Sequence, residues 1–406
     1  MRTRTFHQVV ATTDVHSALE LSDSLLSHLH QLRETSLIAD CGDFFEGTGY
    51  YRLGGGHVER EILTTLYDVL APGNHGWPHY FEPGLHEMTV CANTIDADSG
   101  TPLFDRLRIV EVQGRRVAVT AVMGAQAFRS IPAHQRAGYR VLDPATALRE
   151  LMLEHHHHVD SWMVLSHSGF AEDLELALAC PFLDVVFAGH CHSDTYGPVP
   201  VGATLVVKGG ELGTGYAVAE PAGSGWTART AAFPSTGVLP GALVGLAEQI
   251  TALGRRLADP LGVVKEPYRN AELDRRRLLA DLATRLHTGL GAAVVLNETA
   301  LRTTVLGDVL TLADLLAIEP FDNQLVHAVV PSPYDRDPAP LIAALTEQTG
   351  PVASAPSPLS TPLASVLTTG YLADTYLGGR TRQTGFTLGG CVRRALTTAL
   401  PERECR

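Results

Sequence analysis

The sequence predicts an α/β protein of two domains, and three observations carry that expectation. The first ~220 residues alternate short apolar, β-branched runs with stretches of helical spacing. Each of those runs ends near a Gly, Asp or His. The chain of 406 residues is too long for one small core, and its character changes from about Pro260 onward.

Val9–Thr13, Ser36–Cys41, Val117–Val122, Trp162–Ser166, Val185–Ala188 and Leu205–Lys208 read as strands. Between them, Ser17–Glu34 and Ala145–His155 have the spacing and length of helices. The histidines at 155–158 close the second helix and read as its solvated end. A Gly/Pro/Ser-rich passage, Pro221–Gly225, and a second at Pro234–Gly237 precede an amphipathic helix near Gly241–Leu257. That helix is the expected connector, giving domains at 1–225 and 260–406 with a linker at 226–259. Beyond it, Arg275–His287 and Thr311–Ile318 read as helices and Ala292–Asn297 as a strand. Pro331–Pro340 and Ser354–Pro362 are proline-rich loops.

Composition narrows the classes. Hydrophobic residues at 45% and charged residues at 18% describe an ordinary globular protein. The net charge of −13, from 44 acidic against 31 basic residues, argues against nucleic acid or an anionic membrane as partner. No apolar run reaches the roughly 18 residues of a membrane span, and no apolar signal region follows Met1. The six cysteines (41, 91, 180, 191, 391, 405) lack CxxC spacing, which speaks against a disulfide framework or zinc knuckle and makes cytoplasmic residence the default. Oligomeric state has no sequence signal.

Five short motifs carry the chemistry: Asp14-Val15-His16, Gly42-Asp43, Gly73-Asn74-His75, Ser166-His167-Ser168-Gly169 and Gly189-His190-Cys191-His192. Each follows an apolar run, so each is expected on a loop leaving a buried strand. Two cations roughly 3.5–4 Å apart can grip a phosphate, activate a bridging water and stabilise the leaving oxygen. Such a site needs a carboxylate shared by both ions, with imidazoles and neutral oxygens completing each shell. Asp43, at the end of the buried run Ser36–Cys41, is the best bridge. Asp14 and His16, two apart on one strand end, are expected to point to one side and share an ion. Asn74 offers an amide oxygen, and His167, His190 and His192 arrive from two later strand ends. Each motif alone is common; all five in order are not.

These motifs resemble those of calcineurin-type metallophosphoesterases, in particular the two-domain 5′-nucleotidase family. The resemblance implies two packed mixed sheets flanked by helices, followed by a C-terminal α/β (α+β) substrate-binding domain. It implies one metal among Asp14, His16, Asp43 and His192 and a second among Asp43, Asn74, His167 and His190. Mixed Asp/Asn/His ligation suits Mn, Zn, Fe, Co or Ni. His75 would be the catalytic histidine, stabilising charge on the phosphate. One departure matters: where the family has an Asp orienting that histidine, this chain has Pro78, with His79 next to it. Loss of the carboxylate is expected to lower the histidine pKa and loosen its orientation.

The C-terminal half resembles the same family's substrate domain in Asn297–Arg302, Leu310–Leu316, Glu319–Asn323 and Thr368–Ala373. The resemblance implies Arg302 as an anion contact, Phe321 and Tyr371 as base-stacking aromatics and Asn323 as a base contact. Arg269 and Lys265 are further anion-contact candidates. A guanidinium fork suits phosphate, and aromatic faces suit bases; the competing reading makes Phe321 and Tyr371 core aromatics. The family's glycine turn has become Glu298-Thr299-Ala300, and Arg380 follows paired glycines where the family carries an acid. Both hint at a substrate other than a plain 5′-mononucleotide. The expected activity is phosphate release from a nucleotide or nucleotide-like monoester. A 2′,3′-cyclic nucleotide phosphodiesterase and a nucleotide-binding metalloprotein with weak catalysis are the alternatives.

Overall fold

The computed structural model describes residues 4–235 and 238–399. Thr236 and Gly237 of the expected linker turn, and Cys405, lie outside the described residues. The chain divides into two compact units, the first ending at Gly254 and the second beginning at Arg255.

The two large sheets of the first unit are built from β1 (Gln8–Thr12), β2 (Ser36–Asp40), β3 (Val69–Leu70), β4 (Leu107–Val112), β5 (Arg115–Met123), β6 (Ser161–His167), β7 (Val185–Ala188), β8 (Val199–Val201), β9 (Thr204–Lys208), β10 (Gly215–Ala222) and β11 (Gly225–Ala232). They form two mixed sheets, ordered β11-β10-β1-β2-β3 and β8-β9-β7-β6-β5-β4. Strands β1, β2 and β3 are mutually parallel, as are β9, β7, β6 and β5, and antiparallel strands close every edge but that of β3. Alternate residues from both sheets, among them Val9, Leu37, Val119, Leu165, Phe187 and Ala217, form one buried core. The opposite face of the second sheet buries Ala118, Val164 and Val186 against Leu148 and Leu151 of helix Pro144–His155 and Leu176 of helix Phe170–Ala179. The expected pair of packed mixed sheets is therefore present.

Two local expectations change. Residues 226–232, expected as linker, lie in β11, which pairs with β10 along its length; Pro221 and Ala222 close β10, so the Gly/Ser passage is only the turn of this hairpin. The long helix expected from Ser17 begins instead at Ser22, because Ser17 stays in a left-handed turn with φ +54°.

The second unit holds β12 (Val294–Asn297), β13 (Gln324–Val329), β14 (Val352–Ala355), β15 (Ser365–Thr369) and β16 (Thr381–Thr387), ordered β14-β12-β15-β13-β16. Leu278, Leu279 and Leu282 of helix Arg275–Leu290 pack with Val294, Leu296, Leu325 and Leu367 in its core. Among the described residues, no helix is long and apolar enough to cross a membrane.

Candidate metal centre

Every motif sits where a buried strand stops. Asp14 and His16 follow β1, Asp43 follows β2, Asn74 and His75 follow β3, His167 is the last residue of β6, and His190 and His192 follow β7. The first two loops continue the pairing of β1 with β2: Asp14 N donates to Gly42 O (3.1 Å), His16 N to Asp43 O (2.9 Å) and Ser17 N to Phe44 O (2.9 Å). Asp14 and His16 converge for a different reason from the one expected. Neither is in strand conformation; both have left-handed backbones (φ +49° and +51°), and that turn, not the two-residue strand period, brings His16 Nε2 to 3.9 Å from Asp14 Oδ1.

The donor atoms cluster in three overlapping sets: Asp14, His16 and His192; His16, Asp43 and His75; and Asp43, His167 and His190. Within each set the ligand atoms lie within 4.8 Å of one another. Asp43 belongs to two sets, and its side chain is almost fully buried. The His167 ring donates from Nδ1 to Cys41 O (2.8 Å), which fixes its tautomer and leaves Nε2 at 3.3 Å from Asp43 Oδ1 and 3.1 Å from Asn74 Oδ1. Nε2 of His16 faces Nε2 of His192 at 3.2 Å. Two imidazole lone pairs aimed at one point beside the buried Asp14 carboxylate need a proton or a cation between them. The donor set, hard carboxylate and amide oxygens with borderline imidazoles, fits divalent first-row metals.

The charges show how tightly the groups are coupled. Burial alone would raise the Asp43 carboxyl, but His167, His75 and His16 outweigh it and hold it below the usual carboxylate range. Burial would lower His167; the Asp43 charge and hydrogen bond, with Asp14, reverse this and lift it to about 9. His16 and His190 are pushed down to about 4, chiefly by burial. Asp14 is raised, again mainly by burial.

His75 overturns an expectation. Its backbone N–H donates to Asp43 Oδ1 (2.8 Å), and its ring Nδ1 lies 3.1 Å from Glu46 Oε2. Burial would lower its pKa, but the Glu46 hydrogen bond and the Asp43 charge raise it. Without the family's Asp, the histidine still has a carboxylate, supplied from the β2 loop, so neither the lowered pKa nor the loosened ring follows. His79 does not substitute: its ring stacks on Phe45 (4.4 Å) and is held by the Tyr51 hydroxyl (2.9 Å) and Glu82 (2.7 Å).

Sequence reasoning missed the supports behind the donors. Glu211 Oε2 lies 3.1 Å from His192 Nδ1 and pairs with Lys208. The Lys208 side chain is fully buried, and its ammonium also donates to Cys191 O (3.0 Å) and Ser193 O (2.5 Å), holding the loop that carries His190 and His192. Gln126 Oε1 lies 3.0 Å from His190 Nε2. Lys208 and Glu211 stand three apart across Gly209-Gly210 just past β9, which was the available signal.

In the second unit, the Arg302 guanidinium lies over the Phe321 ring at 5.0 Å. Phe321 is 48% and Tyr371 54% exposed, which removes the core-aromatic reading. Asn323 is engaged locally, its N and Nδ2 donating to Glu319 Oε1 at 3.1 and 2.9 Å. Arg269 donates to Val264 O (2.9 Å) and sits 3.8 Å from Asp308, while Lys265 donates to Arg394 O (3.0 Å). Glu298, in the altered glycine turn, pairs with Arg275 (3.2 Å) and Arg276 (2.9 Å).

The double-sheet sandwich gathers its donors on strand-end loops. Residues 7–194 match the family model described as calcineurin-like phosphoesterase. An uncharacterised metallophosphoesterase of Bacillus subtilis, YunD, is 24% identical over 197 residues, covering 45% of this chain and 42% of that protein. The 5′-nucleotidase of Bos taurus is 26% identical over 219 residues, covering 46% of this chain and 38% of the relative. The chain thus matches only about two-fifths of the length of these curated relatives.

Solved structures extend the likeness of fold over the whole chain. A 5′-nucleotidase precursor from Thermus thermophilus superposes with a TM-score of 0.67 at 18% identity, covering 96% of both chains. A sulfate thiohydrolase of the same organism gives 0.68 at 15% identity, covering 99% of this chain and 96% of that one.

Proposed function

We propose that this chain is a hydrolase of phosphoric esters that works through two divalent metal ions, with a nucleotide or nucleotide-like monoester as substrate. The observation that carries this reading is Asp43, a buried carboxylate shared between two sets of imidazole donors. Asp14, His16, Asp43 and His192 would hold one ion, and Asp43, Asn74, His167 and His190 the other. Such ions would supply water activation and neutralise charge on the phosphoryl group. The protein's own part is to fix the ligands: Cys41 O sets the His167 tautomer and Glu211 turns His192. His75, 43% exposed in its side chain at the rim of the cluster, would meet the phosphate through Nε2, donating a hydrogen bond from the protonated ring.

The nucleotide assignment rests on the second unit, where the Arg302 guanidinium lies over the exposed Phe321 ring and Tyr371 is exposed. Phe321 and Tyr371 would stack on a base and Arg302 would contact an anionic group. The bovine relative's name, 5′-nucleotidase, points the same way. The reading of a protein with weakened catalysis was motivated by Pro78, and Glu46 removes that motive.

The test is phosphate release from nucleoside mono-, di- and cyclic phosphates and sugar phosphates, with Mn²⁺, Zn²⁺ or EDTA. Metal-dependent release from one class is expected, abolished by Asp43→Asn. Near-normal turnover in that variant would sink the shared-carboxylate scheme. Turnover of cyclic diesters in preference to monoesters would move the assignment to a phosphodiesterase.

A further inference from the structure

His75 has one polar hydrogen held by the protein and one ring nitrogen left over. Its Nδ1 lies 3.1 Å from Glu46 Oε2, and an ionised carboxylate only accepts, so Nδ1 carries the hydrogen and Nε2 is the nitrogen available to a substrate. The ring is also set by its backbone, tied to Asp43 Oδ1 at 2.8 Å, and by an edge contact with His16 at 5.0 Å between centroids.

The carboxylate that does this is itself placed with care. Glu46 has a left-handed backbone (φ +62°), a conformation that a residue with a Cβ adopts only when its surroundings impose it. The imposing contacts are on either side. Phe45 is fully buried and stacked on His79. Gly47, at φ +110°, lies so close to His16 that an added Cβ would stand 2.8 Å from its Cβ. With its neighbours so fixed, the Glu46 side chain is one-third exposed and reaches the His75 ring. The first carboxylate after His75 is Glu82, which is taken up by His79 and Arg60. Pro78 stands near the start of the short helix Trp77–Phe81, which buries Trp77 and Tyr80.

We propose that Glu46 is a positioning residue that holds His75 in one tautomer and one ring orientation for cleavage of the phosphate ester. The proposal rests on the hydrolase reading above. The same loop that carries the shared carboxylate Asp43 then also sets the histidine, so metal donors and histidine are registered by one short segment, Asp43–Glu46. The role separates Glu46 from the ligands: its loss should leave metal binding intact and act only through the ring.

The experiment is a double-mutant cycle on the metal-loaded full chain. Glu46→Ala is expected to lower kcat about 10- to 100-fold, part of the roughly 10²–10⁴-fold that one positioned acid–base group contributes. KM should stay within about twofold and bound metal unchanged. In a His75→Ala background, Glu46→Ala should change kcat less than about twofold, because its effect passes through the ring. Equal losses in both backgrounds, an effect on KM alone, or loss of bound metal would each overturn the proposal. Glu46→Gln, of equal size, replaces the alanine variant if that one does not fold, with the same pattern at smaller amplitude.

A second readout needs no turnover. Long-range ¹H–¹⁵N spectra, with the His75 signals assigned by their absence in His75→Ala, should show only the Nδ1–H tautomer in the parent protein and a mixture in Glu46→Ala. A single unchanged tautomer in the variant overturns the positioning role. If the parent protein releases no phosphate from any substrate, the hydrolase reading fails while these spectra still decide the Glu46–His75 pair.

Discussion

Asp14, His16, Ser17, Asp43, Glu46 and His190 all carry positive φ, and all lie on the loops of the candidate centre. Left-handed backbone at a residue with a Cβ costs roughly 1–2 kcal/mol. Strain concentrated in this way is the mark of geometry imposed for function. The glycines between these residues let the loops approach each other. Gly42, at φ +98°, is one such case, against a ligand itself: an added Cβ would stand 2.7 Å from His167 Nδ1 and 2.9 Å from Gly73 Cα. Gly42→Ala is therefore expected to destabilise the fold by about 2 kcal/mol or more and to displace His167 from the ligand set. Urea unfolding and metal stoichiometry measure the two effects, and a variant with parental stability and full metal content would refute this account. The donors were legible in the sequence because ligand residue types recur in order after apolar runs. Their partners were not. Glu46 lies only three residues past Asp43, yet its reach to His75 depends on a left-handed turn that no spacing rule encodes. Gln126 and Glu211 meet their histidines across 64 and 19 residues of chain.

The elements behind the donors act as a rigid frame with buried titratable groups of its own. Ser166, next to His167 in β6, donates from Oγ to Asp173 Oδ1 at 2.5 Å, tying the strand to helix Phe170–Ala179. Asp173 is fully buried, and burial pushes its carboxyl from an ordinary 3.8 to about 8. The sign follows from which state binds the proton. Between those values the folded chain keeps a proton that the unfolded chain releases, so this contribution is complete at acid pH and is lost as pH rises toward about 8. The slope from one such group is at most about 1.4 kcal/mol per pH unit. Denaturant midpoints measured from pH 5 to 8 in EDTA should fall with pH in the parent protein and less steeply in Asp173→Asn. Equal slopes would mean that Asp173 is ionised in the fold. The strands of this frame were readable because buried runs such as Leu37–Ala39 are apolar throughout. The hairpin of β10 and β11 was misread as a linker because Pro221, Gly223, Ser224 and Gly225 give a loop composition to what is a strand end and a tight turn.

At the scale of the molecule, charge and metal are linked. A net charge of −13 opposes the approach of an anionic ester, so local cations must supply the attraction. All the candidate ligands lie in the unit that ends at Gly254, and each unit has its own hydrophobic core. Ions that bind only the folded first unit stabilise it by mass action, about 2.7 kcal/mol when free metal is 100-fold above Kd. For a unit of this size each kcal/mol shifts the midpoint by roughly 2–4 °C, so chelation is expected to lower its thermal transition by about 5–10 °C. The transition of the second unit, which holds Arg302, Phe321 and Tyr371 but none of the proposed ligands, should not move. Calorimetry of the full chain with Mn²⁺ and with EDTA, the transitions assigned by hydrogen exchange, reads both at once. Asp43→Asn should reproduce the EDTA profile even with Mn²⁺ present, since it removes the carboxylate shared by two ligand sets. If chelation moved only the second transition, or if Asp43→Asn kept the full metal-dependent shift, the stabilising ions would sit elsewhere and the proposed centre would not be what holds them.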